Sequence, residues 1–576
     1  MEYRRWWPWG ALVSAFIVLV TQTWTGFNSP DSEFYASFAL YGSDVADRAV
    51  DPAYYWTRLG YIAPVRALVT TLGPWWGFGI WRVLLIVVIV VAVMAAVRIA
   101  GRSLGLAIAL ALYVGLNTVV IAYLGNTYLT GTMIAVTFLL LALGVSYLGS
   151  AASRGRGPWG SPRWSTAVLS GALLGWLVMI NPYGFLLGAG MWAALRLVAL
   201  WMIPTARARR LVGDTLGLVV GGVCGFGVFW LAGLVIFPGR SWWDTYLEWN
   251  ARLDYTQFIG DATTWQRDTA LIVVVLSVLA SIIAIIAHPR RRWSWAALAV
   301  SVANVLVTAV IMVVMPGPWL EAPHYVALLW PGALMALVLV FTSLSPGTRE
   351  GRPLYPWVFV AGIAVTVPLL VWAGRFDGVL TLSMAWGAAA VVVVAMVGVA
   401  FLARSRWNAF VAAALVIVMG AVFMCAQIWQ NGRGLLGIYG QYPFRTAFID
   451  FQHDDQFASR MQVQGWLLDR TQPSDTIAIW TDPDGLGREV AAMQMWGDYN
   501  LVTPEATLTR DTTTRLEEMR PSVIAMYAPD RAQIDAFNAS LPPWSLPSDL
   551  ECTTAPYLGV GTGEVVSCLT RLTWVG

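Results

Sequence analysis

The sequence predicts an α-helical polytopic membrane protein of about thirteen transmembrane helices, followed by an extracytoplasmic α/β domain. Three observations predict it. The 576 residues are 58% hydrophobic and only 12% charged, with a mean hydropathy of +0.63, too few charges to cover a soluble protein of this length. Apolar runs of about 20 residues recur, each bounded by Arg or by Pro and Gly. From about residue 431 these runs shorten, and charged residues and turn formers become frequent.

Taken in order, the first apolar run covers residues 9–25 and follows Arg4 and Arg5. It lacks an A-x-A cleavage pattern, so it is expected to stay as the first helix. A polar outer loop is expected over residues 27–73. Helices two to seven are expected over 75–97, 104–124, 127–148, 165–180, 184–203 and 212–236. A second outer loop spans 238–268, and helices eight to ten follow over 269–287, 295–315 and 325–344. Helices eleven to thirteen are expected over 355–373, 380–402 and 409–429, which closes a transmembrane domain of residues 1–430.

Arg sets the orientation. Alternate loops carry Arg98 and Arg102, Arg154 and Arg156, Arg207 to Arg210, and Arg290 to Arg292, whereas the short links at Asn126, Asn181 and Pro316 carry none. By the positive-inside rule the N-terminus and the Arg loops face the cytoplasm, and an odd number of helices leaves the tail outside. That implies a multi-pass protein of the cytoplasmic membrane, surrounded by membrane lipids. The net charge is +3 and the basic residues are scattered, which argues against a nucleic-acid partner.

The tail, residues 431–576, reads as alternating helix and strand. A short helix is expected over 462–470, a strand over 476–480, a turn at Asp482-Pro483-Asp484-Gly485, a helix over 514–519 and a strand over 522–527. Such alternation predicts a small α/β domain. Cys552 and Cys568 lie in this tail and, if it is outside the cytoplasm, can pair.

Candidate chemistry starts at Asn28-Ser29-Pro30-Asp31-Ser32-Glu33-Phe34-Tyr35-Ala36, directly after the first helix. Asp31 and Glu33 stand at the outer membrane edge, and Asp44, Asp47 and Asp51 follow. Outer loops hold acids simply because water is there, so a helix cap or a loop acid is the plain alternative for Asp31. Asp31-Ser32-Glu33-Phe34-Tyr35-Ala36 resembles the signature of the GT-C membrane glycosyltransferases, in the branch of protein O-mannosyltransferases and lipid A aminoarabinose transferases. Members have an Asp-Glu pair and then Tyr-Ala at this place. Asp31, Tyr35 and Ala36 match in register, whereas Ser32 stands at the second acid and Glu33 lies one position later. Three further stretches resemble the family in order: Tyr54-Tyr55-Trp56-Thr57-Arg58-Leu59-Gly60, Asn181-Pro182-Tyr183-Gly184-Phe185-Leu186, and Pro323-His324-Tyr325-Val326-Ala327-Leu328-Leu329-Trp330-Pro331. Asn181 replaces the basic residue of the family's link.

The resemblance implies a GT-C-like fold and an inverting transfer of sugar from a polyprenyl-phosphate donor to a hydroxyl of a glycan, lipid or protein acceptor. Such a reaction needs a carboxylate to take the acceptor's proton and donors to stabilise the departing phosphate. Asp31 is the candidate base. Arg58 and Arg66 are candidates for the phosphate, because a guanidinium fork suits phosphate oxygens; snorkelling toward headgroups is the alternative. His324, Tyr35 and Glu33 are further candidates for substrate contact. Asn126, neutral where related enzymes often carry an acid, can bind sugar hydroxyls but cannot act as a base. No cofactor is required by this reading, which leaves room for a divalent metal, Mg or Mn. In the second outer loop Trp242, Tyr246 and Trp249 share one helical face, which fits an interfacial helix or an aromatic lid.

The rival reading is a polytopic transporter or lipid flippase. It calls for ionisable residues deep within helices, and the predicted helix centres are nearly free of charge.

Overall fold

Proline, glycine and asparagine decide where the helices of this chain begin and end. The computed structural model describes residues 3–20, 30–46, 54–124, 129–152, 163–202, 207–252, 269–314, 323–344, 463, 465–472, 474–481, 510–543, 545–559 and 561–574. Helix α1 is Tyr3–Val20. The expected first outer loop is instead largely helical, with α2 at Pro30–Tyr41, α3 at Ser43–Ala46, a 3-10 turn at Tyr54–Thr57 and α4 at Leu59–Leu72. Its acids hide an apolar face: Leu59, Ile62, Val65 and Val69 of α4 recur at helical spacing and are buried. Pro30 opens α2, where a missing N–H costs nothing.

Helix α5, Pro74–Ile99, starts on Pro74 after Gly73. The expected third helix is two, α6 at Leu104–Gly115 and α7 at Thr118–Leu124. Asn117 Oδ1 accepts the Val119 N–H at 3.1 Å and so caps a new start in mid-run. Next come α8 (Leu129–Ala152), α9 (Arg163–Ile180), α10 (Pro182–Met202) and α11 (Arg207–Ile236). The expected break between helices five and six is there: Asn181 Oδ1 accepts the Tyr183 N–H at 2.9 Å and Pro182 opens α10. In the expected second outer loop α12 covers Trp242–Arg252. Helices α13 (Thr269–Ala287), α14 (Arg292–Val314), α15 (Pro323–Val326) and α16 (Trp330–Leu344) follow. Among the described residues five helices are long and apolar enough to cross a membrane. Expected helices eleven to thirteen and the boundary near residue 431 lie outside the described residues.

The two ends of the bundle differ in chemistry. At one end Arg102 Nε donates to the Thr342 carbonyl at 2.7 Å and Arg291 donates to the Ser343 carbonyl, so two guanidiniums cover the C-terminal end of α16. At the other end lie α2 and α4, across the length of α5. Between the ends the helices are not free of charge. Arg196 of α10 pairs with Asp214 of α11 at 2.5 Å, each side chain 8% exposed. Tyr147 of α8 donates to the same Asp214 oxygen at 2.7 Å, and the Arg196 guanidinium lies 4.6 Å from the Tyr147 ring centre.

Helices α9 and α11 meet backbone to backbone through Gly171 and Gly175 on one and Gly221 and Gly225 on the other. A Cβ on Gly221 would collide with the Val168 carbonyl oxygen, and one on Gly225 with that of Ala172. Ala is the better helix former by roughly 1 kcal/mol, yet Gly221→Ala is expected to lose about 1–3 kcal/mol through overpacking. Gly227→Ala, in the same helix with nothing near its added methyl, is the control. Thermal unfolding in detergent checks the pair: Gly221→Ala melts lower than wild type and Gly227→Ala does not.

The tail forms a five-stranded sheet in the order β1-β2-β5-β3, with β4 on β5. The strands are β1 Ile477–Thr481, β2 Val523–Ala528, β3 Ser545–Pro547, β4 Glu551–Gly559 and β5 Gly561–Trp574. β1 and β2 run parallel, and the remaining pairs are antiparallel. Alternation puts Ile477, Ile479, Val523, Ala525 and Tyr527 on one face with Leu467. Ala478, Trp480, Ile524 and Met526 face Ile534 and Phe537 on the other. Among the described residues the tail also has α17 at Arg510–Met519, where a helix was predicted over 514–519, and α18 at Arg531–Ala539, which was not predicted. The hairpin β4–β5 was not expected, and it carries a disulfide between the directly opposed Cys552 and Cys568.

Asp475 ties this sheet together. Burial pushes its carboxyl pKa up, but the Gln472 N–H, the Arg571 guanidinium and the Ser522 hydroxyl outweigh burial and hold it below the usual range. A depressed folded pKa gives stability that is complete above the unfolded value of about 3.9 and is lost as pH falls through the folded one. The sheet is therefore expected to loosen below about pH 4, and Asp475→Asn to remove that part of the acid transition. Amide exchange over β1 and β2 reads both.

Candidate active site

Asp31 and Glu33 lie in the first turn of α2. The rest of α2 is anchored. Tyr35, Ala36, Phe38 and Ala39 are buried. The Tyr35 ring stands edge-on to Tyr55 at 5.4 Å and to Tyr61 at 6.1 Å. Phe38 and Trp56 both meet Phe237, at 6.0 and 5.2 Å, where α11 ends. Tyr35, expected to touch substrate, thus sits in the aromatic packing under α2.

Arg58 is buried at the start of α4, where its carbonyl accepts from the Tyr61 and Ile62 N–H groups, each at 3.0 Å. Its guanidinium lies 5.9 Å from the Tyr246 ring centre. Trp242 stacks on Tyr246 at 4.9 Å and donates from Nε1 to the Thr57 carbonyl at 2.7 Å. Helix α12 is therefore laid on the segment between α2 and α4, with Trp242 and Tyr246 on the shared face that their spacing predicted. Trp243 and Leu247 of the same helix are exposed. Arg66, eight residues beyond Arg58 on α4, turns the other way: its Nη1 donates to the carbonyls of Ala39 at 3.2 Å and Leu40 at 2.9 Å.

Glycine brings the next motif in. A Cβ on Gly60 would lie 2.9 Å from the Ile180 nitrogen, so only glycine lets α4 reach the end of α9. Trp176 fixes the contact by donating to the Gly60 carbonyl at 2.7 Å. Beyond Asn181, Tyr183 stands edge-on to Tyr325 at 5.6 Å. The Tyr54–Gly60, Asn181–Leu186 and Pro323–Pro331 stretches therefore gather at one end of the bundle. His324 lies in α15 beside Tyr325. Asn126 lies outside the described residues. Among the described residues no three His, Cys, Asp or Glu side chains come together to hold a metal ion.

One charged residue at this end escaped the sequence reading. Arg82 sits within α5, half-buried. The signal was present: an Arg eight residues inside an apolar helix is unusual and marks a candidate site. Trp81 beside it donates to Thr132 at 3.3 Å.

No protein-family model and no curated protein matches the chain. Among solved structures it is similar to the aminoarabinose transferase ArnT from Cupriavidus metallidurans in the apo state, with 14% identity over 98% of each chain and a TM-score of 0.48. It is similar to the same protein bound to undecaprenyl phosphate, with 14% identity over 98% of each chain and a TM-score of 0.42. The Archaeoglobus fulgidus oligosaccharyltransferase in its apo form is also similar, with 11% identity over 90% of this chain and 69% of that one and a TM-score of 0.41. ArnT and the oligosaccharyltransferase are GT-C glycosyltransferases.

Proposed function

We propose that this chain is an inverting glycosyltransferase. It moves a sugar from a polyprenyl-phosphate donor to a hydroxyl at the outer face of the cytoplasmic membrane, in assembly of an envelope glycan, lipid or glycoprotein. The N-terminus is inside, and the tail from about residue 431 is an extracytoplasmic domain. What supports this reading most is the position of Asp31 in the chain. It stands in the first turn of a helix that is buried behind it, at the end of the bundle where the Arg58, Asn181 and Tyr325 stretches meet.

The reaction is a single displacement. Asp31 accepts the proton of the acceptor hydroxyl as its oxygen attacks the anomeric carbon. The bond from that carbon to the phosphate oxygen breaks on the opposite side, its electron pair leaves with polyprenyl phosphate, and the configuration inverts. Arg58 and His324 donate to the departing phosphate. Glu33 and Asn126 hold sugar hydroxyls, and Tyr35 keeps α2 seated. Arg82 adds positive potential at the same end. The Arg196–Asp214 pair is the kind of intrahelical charge a transporter or lipid flippase would use. Its burial and its bond to Tyr147 give it a structural task instead.

The test is transfer from a panel of radiolabelled polyprenyl-phosphate sugars into envelope fractions by wild type and Asp31→Asn. Label is expected to move with wild type and to stay in the lipid with a variant that inserts normally. Equal transfer by the two proteins overturns the proposal.

A further inference from the structure

The C-terminal end of α2 is held more firmly than a twelve-residue surface helix requires. A helix leaves its last four carbonyls without intrahelical partners. Here Gly42, in the left-handed region at φ +59°, turns the chain and donates to the Phe38 carbonyl at 3.0 Å. Arg66 Nη1 takes the next two carbonyls, Ala39 and Leu40. The guanidinium sits against Gly42, where a Cβ would come within 2.8 Å of Cζ, so a side chain at this turn would displace it. A cation at this place also matches the negative end of the helix dipole.

A second element closes on the same end. Tyr41 is the last residue of α2, and its hydroxyl packs against Gly465 of the tail, 3.5 Å from where a Cβ would stand. Leu468, one turn on, packs against the hydrophobic core of the helical bundle. Burial, and after it the charge of Asp469, push the Tyr41 hydroxyl up to about 12, in keeping with a close fit of the tail.

We infer that Arg66 is a positioning residue: together with the tail's turn at residues 465–469 it locks the far end of α2 and so aims Asp31, about 12 Å away along the helix. The inference rests on the reading of Asp31 as the base. It assigns the tail a task, steadying the helix that carries the base, and it takes Arg66 away from the phosphate.

Two readouts on the full chain test it. Amide exchange over residues 38–42 is expected to quicken about tenfold or more in Arg66→Ala, and also in Gly465→Leu, which pushes the tail off Tyr41. Arg66→Lys, which keeps the charge, restores part of the protection. In transfer assays Arg66→Ala is expected to lower kcat by about 10- to 100-fold through misplacement of the base, with the donor KM unchanged. If the alanine variant fails to insert, Arg66→Gln replaces it in both assays. Unchanged exchange overturns the inference. So does a donor KM raised about tenfold at constant kcat, which marks Arg66 as a phosphate ligand. Should wild type transfer no sugar, the reading of Asp31 fails by itself, and the exchange data still decide whether Arg66 and the tail lock α2.

Discussion

Asp31→Asn is expected to lower sugar transfer by about 10²- to 10⁴-fold, the range that a positioned general base contributes. The substitution keeps the shape of the side chain and its fitness for the first turn of a helix, so α2 and its aromatic seat under Tyr35, Phe38 and Ala39 should form as before. What is lost is the ability to take a proton. Because that interaction exists only in the transition state, kcat and kcat/KM should fall together, with KM unchanged. Kinetics in reconstituted membranes check both points. A raised KM with kcat intact would make Asp31 a binding group rather than a base.

Asp214→Ala is expected to destabilise the helical bundle by about 3–5 kcal/mol, the loss seen when one partner of a buried ion pair is removed. Two charges 8% exposed and 2.5 Å apart are tolerated inside the helices only because each neutralises the other. Without Asp214 the Arg196 guanidinium keeps its contacts with the Tyr147 and Trp192 rings, but it loses its counter-charge, and Tyr147 loses its acceptor. Replacing both partners by apolar residues, Arg196→Met with Asp214→Leu, should recover most of the loss, since the pair costs about as much to desolvate as it returns. Thermal unfolding in lipid nanodiscs of the two singles and the double completes the cycle. A single variant as stable as wild type would mean that the charge reaches water.

Much of the fold can be read from the chain, and the exceptions have physical causes. Apolar length finds α5, α8 to α11, α13 and α14, because nothing but a membrane or a buried core calls for such runs. Proline and asparagine mark Asn181-Pro182 well, since both act locally. The split at Asn117 was missed because a lone Asn inside an apolar run is also compatible with a continuous helix. The first outer segment reads as a polar loop because Asp31, Glu33, Asp44, Asp47 and Asp51 dominate its composition. The apolar stripe of α4 is interrupted by Pro64 and Arg66, which conceal the period. In the tail, period-two alternation reveals β1 and β2, whereas the β4–β5 hairpin was missed although Gly559, Gly561 and Gly563 mark its turn.

The candidate site follows the same division. The order of its motifs is legible, and so is their shared end of the bundle, because helix count alone puts alternate links on one side. The partners are not legible. Arg58 and Arg66 look alike in the sequence, yet one meets the Tyr246 ring and the other the end of α2. Asp214 and Arg196 are single charges in separate helices, and only packing pairs them. Gly221 and Gly171 are two among many glycines until the helices cross.

The most direct measurement follows the fate of the label on a polyprenyl-phosphate sugar supplied to purified protein in sealed vesicles. If the chain is a transferase, labelled sugar should leave the lipid for an acceptor on the outer side, with free polyprenyl phosphate formed in equal amount and both lost in Asp31→Asn. Label that stays on its lipid and merely changes leaflet, equally with wild type and variant, would contradict the account and make the chain a flippase.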